Sequence, residues 1–312
     1  MIKLKDIAEK VGVTVATVSY ALNNDPRLPD STKQKIILTA KEMGYQGKSG
    51  RSVSKDTVKQ VVLCINSFSG AIFKVIVETM KETFALHNCQ LLIYTGTEIS
   101  KLKWMDGMII LNSRIPSAEI EKLTAKNIPI VLMDRELNLH GTVDITLDNF
   151  NGCFQTTQCA IDKGAKTFAF IGGPKDSYES HYRYDGFCKA LEVNGLSDKN
   201  AIVLQTDFTY QGGISTLRFM LERSIIPDAI VCANDETAMG IIDGLKKGNV
   251  TKDVIVTGFD GVINYTSPTR FVTAKADHKH WATTSSYTMI QLFDRNAVKS
   301  IKLPVQIVEH NM

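Results

Sequence analysis

A short run near the start of the chain has side chains of the types and spacing needed to touch base edges in DNA. If residues 14–24 form a helix, four side chains point outward from it. These are Val15, Ala16, Ser19 and Tyr20. Val18 and Leu22 lie one turn apart on the inward face, where they would pack. The outward residues offer methyl groups, hydroxyls and one ring, which can contact thymine methyls and hydrogen-bonding base edges.

Two neighbouring helices must hold that face in place. The first has an apolar face at the i, i+3, i+4, i+7 spacing. Its members are Leu4, Ile7, Ala8 and Val11. Gly12 suits the left-handed turn that ends this helix, and Thr14 suits the N-cap of the next. Ser31 and Gln34 make a capping box for a third helix that stops at Gly44 and packs through Ile36, Ala40 and Met43. The pattern predicts a helix-turn-helix head at residues 1–46, whose second helix enters the major groove.

The motifs in this head occur together in a known family. They are Lys5-Asp6-Ile7-Ala8, Gly12-Val13, Ala16-Thr17-Val18-Ser19 and Leu22-Asn23. The head thereby resembles the LacI/GalR family of bacterial transcription regulators. The resemblance implies that Val15, Ala16 and Tyr20 select bases. Many members have Arg where this chain has Tyr20, and one hydroxyl with a ring face cannot replace the two hydrogen bonds of Arg to guanine, so we expect a different operator.

The resemblance also implies contacts to phosphates, which fix register without specifying sequence. The residues expected to make them are Thr17, Ser19, Asn23, Ser31 and Lys33. Charge agrees with a DNA partner. Residues 1–60 contain eleven Lys and Arg against six Asp and Glu, a net charge of +5, while the whole chain carries only +3. Basic charge concentrated beside the motif favours a surface that faces phosphates.

Residues 47–59 have the composition of a linker, rich in Gly, Ser, Lys and Arg. Family members have a hinge helix here that inserts an apolar side chain into the minor groove, and the resemblance places that side chain at Val53. Gly50 weakens a helix. A flexible tether therefore remains as good an interpretation as an ordered hinge.

Length and composition favour a multidomain soluble protein. The chain has 312 residues, 44% of them hydrophobic, so two or three globular units are expected. It has neither a transmembrane-length apolar run nor a signal-peptide pattern, which predicts a cytoplasmic protein without a membrane partner. Its six Cys form no C-x-x-C pair, which favours reduced thiols over disulfides or zinc. No cofactor or metal is predicted.

From residue 60 to 312, short β-branched runs alternate with amphipathic stretches, which predicts α/β units with parallel sheets. Predicted strands are 61–65, 90–94, 107–111, 130–133, 168–171, 201–204, 229–232 and 254–259. Predicted helices are 73–86, 118–126, 152–162, 183–194, 213–223 and 236–247. Several strands end in Gly, Asn or Asp, at the edge where open parallel sheets bind ligands.

This part of the chain resembles the effector-binding and dimerisation half of the same family, which is similar to two-lobed periplasmic sugar-binding proteins. The matching motifs are Asp106-Gly107-Met108-Ile109-Ile110, Asp134-Arg135, Asp148-Asn149, Gly186-Phe187, Ala233-Asn234-Asp235 and Gly258-Phe259-Asp260. The resemblance implies one lobe at about 60–163 plus 278–299 and another at about 164–277 plus 300–312. The chain would then cross between the lobes three times.

The resemblance implies effector contacts at five positions. They are Phe73, Asn151, Arg183, Asn234 and Asp260. Arg, Asn and Asp can hold vicinal hydroxyls at fixed angles, and an aromatic ring can cover the apolar face of a sugar. For Asn234 and Asp260 the alternative is turn chemistry after a strand. Arg183 is expected in the first turn of a helix, where a cation is unfavourable unless it has an anionic or hydroxyl partner.

Catalytic motifs are missing from the sequence, so an enzyme is not expected. The six His include no H-E-x-x-H, and the chain has no G-x-S-x-G, Walker A or G-x-G-x-x-G motif. His278 and His280 would point to different faces of a helix, which favours a surface pair over a metal site. Asp134 and Asp148 are expected to be structural.

Two functions remain. The favoured one is a dimeric, sequence-specific repressor that binds a pseudo-palindromic operator and answers to a small effector, a sugar or sugar derivative, in the interlobe cleft. The alternative is a regulator that answers to a protein corepressor, or binds DNA constitutively, through a degenerate cleft. It is motivated by Gly70, which replaces a polar family residue, and by the short stretch between Tyr94 and Asp106.

Overall fold

The computed structural model describes residues 3–22, 28–43, 45, 58–66, 70–197, 201–262 and 270–310. The chain divides into two compact units, Met1–Val58 and Lys59–Met312. The division falls at the end of the linker predicted at 47–59. Residues 46–57 lie outside the described residues, so the hinge helix and the role of Val53 stay predictions.

The first unit has three helices, α1 (Leu4–Val11), α2 (Val15–Leu22) and α3 (Asp30–Glu42). α1 ends where predicted, since Gly12 has a φ of 77° in the left-handed region. The predicted N-cap of α2 is also confirmed, because the Thr17 amide donates to Thr14 Oγ1 at 3.1 Å. The predicted cap of α3 is wrong. The Lys33 amide donates to the Pro29 carbonyl at 3.0 Å, which places Ser31 inside the first turn.

The three helices close on a small core that contains the predicted inward residues. Its fully or almost fully buried members are Ile7, Ala8, Val18, Ala21, Ile36 and Ala40. Leu4, Val11, Leu22 and Met43 pack around them. Burial of this face fixes the rotation of α2, because a helix can turn only one side inward.

The second unit contains two six-stranded sheets, each with its own helices. The first sheet and its helices are called lobe one. Its strands are β1 (Lys59–Ile65), β2 (Cys89–Tyr94), β3 (Gly107–Leu111), β4 (Ile130–Leu132), β5 (Thr142–Leu147) and β11 (Ile301–Leu303). Its helices are α4 (Ala71–Ala85), α5 (Ser117–Thr124) and α10 (His278–Phe293). The strand order is β11-β5-β4-β3-β1-β2 and every pairing is parallel.

The second sheet and its helices are called lobe two. Its strands are β6 (Phe168–Gly172), β7 (Ile202–Gln205), β8 (Ala229–Cys232), β9 (Ile255–Asp260), β10 (Phe271–Lys275) and β12 (Gln306–His310). Its helices are α6 (Asn149–Asp162), α7 (Tyr178–Val193), α8 (Tyr210–Glu222) and α9 (Asp235–Lys247). The order is β12-β10-β9-β8-β6-β7, parallel except for the edge strand β12, which runs antiparallel to β10.

The chain crosses between the lobes three times, and two of these crossings lie away from the boundaries expected from the sequence. α6 packs against α7, β9 and β10, so residues 149–162 belong to lobe two rather than to a first lobe reaching 163. β11 pairs with β5, so residues 301–303 belong to lobe one. The crossings therefore fall at 147–149, 275–278 and 303–306.

The two lobes share a hydrophobic cluster at these crossings. Phe259 and Ala274 of lobe two pack in one cluster with Trp281 and Leu303, which belong to lobe one. The Trp281 indole also donates to the Ile145 carbonyl at 2.6 Å. The described helices include none long and apolar enough to span a bilayer.

Candidate functional site

A cavity of about 150 Å³ lies between the lobes, at the edge where the strands end. Its walls come from the loops after β1, β3, β4, β7 and β8, from the last residues of β5 and β9, and from helices α4, α6, α7 and α10. The lining residues are Asn66, Ile72, Phe73, Leu111, Ser113, Met133, Leu147, Asn149, Glu179, Arg183, Phe208, Asn234, Asp260, His278 and Trp281. The position is the one that open parallel sheets use for ligands.

Arg183 is held in the cavity wall by three contacts within lobe two. Its Nε donates to Asn149 Oδ1 at 2.8 Å, and its Nη1 donates to the Ala233 carbonyl at 2.5 Å. The guanidinium lies 3.7 Å from the centre of the Phe259 ring. α7 begins at Tyr178, so Arg183 is not in its first turn and the predicted conflict with the helix dipole is wrong. These contacts compensate the burial of the charge.

Asp260 is the last residue of β9 and has an unusual backbone. Its φ of 108° is in a region that residues other than glycine rarely adopt. Its Oδ1 is 3.9 Å from Arg183 Nη2 and 3.9 Å from His278 Nε2, beyond hydrogen-bond distance in both cases. Backbone strain of this kind is found at ligand-binding positions.

Asn234 has a structural role and a place in the cavity wall. It is the N-cap of α9, where its Oδ1 accepts from the Thr237 amide at 3.2 Å. Its Nδ2 donates to the Phe208 carbonyl at 2.8 Å. The turn chemistry proposed as the alternative for Asn234 is therefore present, and the residue still lines the cavity.

Asn151 lies outside the cavity lining, contrary to the sequence-based expectation. It is exposed on α6 and donates from Nδ2 to Asp148 Oδ2 at 2.7 Å, next to the N-cap of the helix. Asn149 lines the cavity instead and holds Arg183. Residues two apart on a helix point to different sides, so the offset moves the side chain out of the site.

Sequence reasoning missed seven polar or aromatic wall residues: Asn66, Ser113, Asn149, Glu179, Phe208, His278 and Trp281. The interpretation of His278 as part of a surface pair is wrong, because it is 8% exposed whereas His280 is exposed. Asn66 Oδ1 and His278 Nε2 are buried without a hydrogen-bond partner among the described residues. The sequence signal for Asn66 was its position just past a predicted strand, whereas the strand before His278, Phe271–Lys275, was itself missed.

Two carboxyl groups, one behind the wall and one in it, have raised pKa values. Burial, and then the Asp260 carboxylate, raise the pKa of Asp235 to about 8. Asp235 accepts from Thr273 Oγ1 at 2.7 Å and from the Val262 amide at 3.0 Å. Burial and the nearby Asp134 carboxylate also raise the pKa of Glu179. Asp134 is paired with Arg135 at 2.7 Å and is structural, as predicted.

The first unit presents a second candidate surface, on α2. Val15 is 45% and Tyr20 is 41% exposed, and Ala16 is exposed between them, while Val18 is fully buried. The strip predicted to contact bases is therefore on the outside of the unit. We call Val15, Ala16 and Tyr20 the α2 strip.

The residues predicted to contact phosphates have mixed positions. Thr17 and Ser19 are half-buried beside the α2 strip. Lys33 is only 8% exposed and has an interaction partner, unlike the solvated Lys expected of a phosphate contact. Asn23 and the side chain of Ser31 lie outside the described part of the structure.

Two family profiles match the chain. One is described as "Periplasmic binding proteins and sugar binding domain of LacI family" and matches residues 93–304. The other is described as "Bacterial regulatory proteins, lacI family" and matches residues 3–47. The matched segments fall on the second and first units respectively.

Similar proteins include characterised regulators. Catabolite control protein A of Priestia megaterium is 26% identical over 273 residues, covering 83% of this chain and 82% of that protein. The HTH-type transcriptional repressor CytR of Escherichia coli (strain K12) is 27% identical over 274 residues, covering 83% and 80%. A lac repressor dimer bound to operator and the anti-inducer ONPF has the same fold, with a TM-score of 0.69, 22% identity and coverage of 98% and 97%.

The strain at Asp260 gives a first prediction. Asp260→Gly should be more stable to unfolding than Asp260→Ala by about 1 kcal/mol, because only Gly adopts a φ of 108° without strain. Urea unfolding followed by tryptophan fluorescence measures this, since both Trp lie in the second unit. An Ala variant as stable as the Gly variant would show that the backbone there is unstrained.

The pKa of Asp235 gives a second prediction. The folded protein keeps this proton up to a pKa of about 8, while the unfolded chain releases it near 3.8. Between those values the folded state binds more protons, so the free energy of unfolding falls as pH rises. Asp235→Asn has no carboxyl proton to release. Over this range its free energy of unfolding should therefore rise relative to that of the wild type by up to about 1.4 kcal/mol per pH unit. Parallel pH profiles from urea unfolding would contradict the burial argument.

Proposed function

The chain belongs to the LacI family of bacterial regulatory proteins, and on that premise we propose that it is a sequence-specific DNA-binding transcription repressor controlled by a small-molecule effector. The observation that carries the proposal is one chain with two separate surfaces. An exposed strip on the second helix of a helix-turn-helix faces outward, and a cavity lined by both polar and apolar side chains lies between two lobes. A protein with both can make DNA binding depend on ligand.

The α2 strip supports base recognition by the first unit. In helix-turn-helix proteins the second helix lies in the major groove with its first residues against base edges. Val15 and Ala16 begin α2 and expose apolar groups, which suit thymine methyls, and Tyr20 exposes a ring on the next turn. The rotation of α2 is fixed by the buried Val18, so these side chains reach one groove together.

The cavity supports a sugar or sugar derivative as the effector. Arg183, Asn234 and Asp260 bring donors and acceptors from lobe two, and Phe73 brings an aromatic ring from lobe one. A ligand that contacts both lobes binds one lobe arrangement more tightly than another, which is the requirement for control.

Dimerisation on a pseudo-palindromic operator completes the proposal. The lac repressor of similar fold is a dimer on its operator. Two copies of this chain would place two α2 strips in successive major grooves, so the operator should have two half-sites in inverted orientation. With a DNA partner in a bacterium, we propose that the protein acts in the cytoplasm and that its role is regulatory rather than catalytic.

The observations favour effector control over the alternative of a degenerate cleft. Gly70 lies at the mouth of the cleft, but the inner wall keeps polar groups in Asn66, Arg183 and Asp260. Asn66 Oδ1 and His278 Nε2 are buried without a hydrogen-bond partner among the described residues, and such atoms oppose folding unless a ligand pairs with them.

The third prediction tests base recognition. Selection from a random duplex library by the wild-type protein should return an inverted repeat. Tyr20→Ala should broaden the base preference at one position in each half-site. It should also weaken binding to the selected DNA about tenfold, because a contact to a base edge is lost. Leu38→Ala, at an exposed position of α3, is the matched control and should keep the wild-type base preference. Equal losses on selected and random DNA would show that Tyr20 does not read bases.

The fourth prediction tests the cleft. Arg183→Ala should keep operator affinity in a gel-shift titration and lose the response to the effector that shifts the wild type, because its guanidinium faces the cavity in lobe two. Asn151→Ala, exposed and outside the cavity, is the control and should respond normally. Loss of operator binding by Arg183→Ala would instead assign this residue to the scaffold.

A further inference from the structure

Three polar side chains around the cavity are arranged with gaps between them. Asp260 Oδ1 is 3.9 Å from Arg183 Nη2 and also 3.9 Å from His278 Nε2. Hydrogen bonds between such atoms are about 2.7–3.2 Å long, so neither pair is bonded. One oxygen atom placed about 2.8 Å from each partner fits such a gap.

His278 is a buried side chain in the cavity wall. It is 8% exposed, it is the first residue of α10, and its Nε2 has no hydrogen-bond partner within the described parts of the chain. Buried polar atoms are almost always paired, so an unpaired one that faces a cavity indicates a missing partner.

We propose that His278 is a specificity-determining residue that binds a hydroxyl group of the effector together with Asp260. A hydroxyl has two acceptor sites and one donor, so it can accept from His278 Nε2 and donate its proton to Asp260 Oδ1. Arg183 Nη2 fills the second acceptor site of this hydroxyl or binds its neighbour on a vicinal diol. The inference rests on the proposed small-molecule role of the cleft.

The charges around the cavity select the form of that ligand. The inner wall has the carboxylate of Asp260 next to Arg183, and the mouth has Asp176, Asp207 and Glu236 against Arg114. This excess of carboxylates repels phosphate esters and acidic sugars. The effector is therefore an uncharged polyhydroxylated ring, with an inner part that fits about 150 Å³.

The hydroxyl would also join the two lobes. Asp260 ends a strand of lobe two, whereas His278 begins a helix that packs on lobe one, directly after the second crossing. One ligand hydroxyl bonded to both is a contact that exists only at one lobe arrangement. A ligand retained without that contact would bind without changing DNA affinity.

The first part of the test measures ligand binding. Full-length protein is screened by thermal shift and calorimetry with D-ribose, D-glucose, D-galactose, cellobiose, uridine and adenosine, and with glucose 6-phosphate as the charged counterpart. We expect a neutral compound to bind. His278→Phe should weaken ligand binding about 10- to 100-fold, since it loses the hydrogen bond to the ligand hydroxyl that also contacts the Asp260 carboxylate. His278→Gln, which restores an N–H donor, should recover most of that loss, and His280→Phe should bind as the wild type does.

The second part measures coupling. With the selected operator and saturating ligand, His278→Phe should show a smaller change in operator affinity than the wild type. If His278→Phe binds the ligand as tightly as the wild type while Arg183→Ala loses ligand binding, only water fills the gap. That result would overturn the proposal. Binding of none of the neutral compounds would also overturn it. Selection of an operator in either case would leave the DNA-binding function standing, and failure to select one would instead reject that function.

Discussion

The site depends on a buried cation that lobe two holds in place before any ligand arrives. A guanidinium taken out of water needs partners for its N–H groups, and Arg183 finds them in Asn149 and the Ala233 carbonyl. The Phe259 ring covers its face. These contacts tie α6, α7, β8 and β9 together around one charge. The wall of lobe two is therefore preorganised, and ligand binding need not order it.

Lobe one has a comparable cation that reaches across the cleft. Arg135 is bonded to Asp134 and to the carbonyls of Asn112 and Ile115, and its side chain is 1% exposed. Its guanidinium also lies 4.9 Å from the centre of the Tyr178 ring, at the start of α7 in lobe two. The first cation shapes one wall, whereas the second contacts residues of both lobes.

The sequence predicted what depends on periodicity and missed what depends on distant pairing. The face of α2 and the bounds of Gly107–Leu111 and Ala229–Cys232 follow from local pattern. The strands Thr142–Leu147 and Ile301–Leu303 were both missed. Ile301–Leu303 has only three residues and is defined by a neighbour 156 residues away, since Ile301 pairs with Ile145. The same limit hid His278, whose burial needs both lobes.

The cavity lies where the chain crosses between the lobes. Leu147, Asn149 and His278 line the cavity, and each lies at a crossing of the chain between lobes. Any change in the angle between the lobes must pivot at these crossings, because only there is the backbone common to both. A change in that angle alters the distances between groups of the two lobes at the cavity, such as Asp260 and His278, and so alters the contacts that a ligand can make to both. Asp260, whose backbone is strained, also lines this cavity. The strain lowers the stability of the fold but fixes the direction of a side chain in the cavity wall.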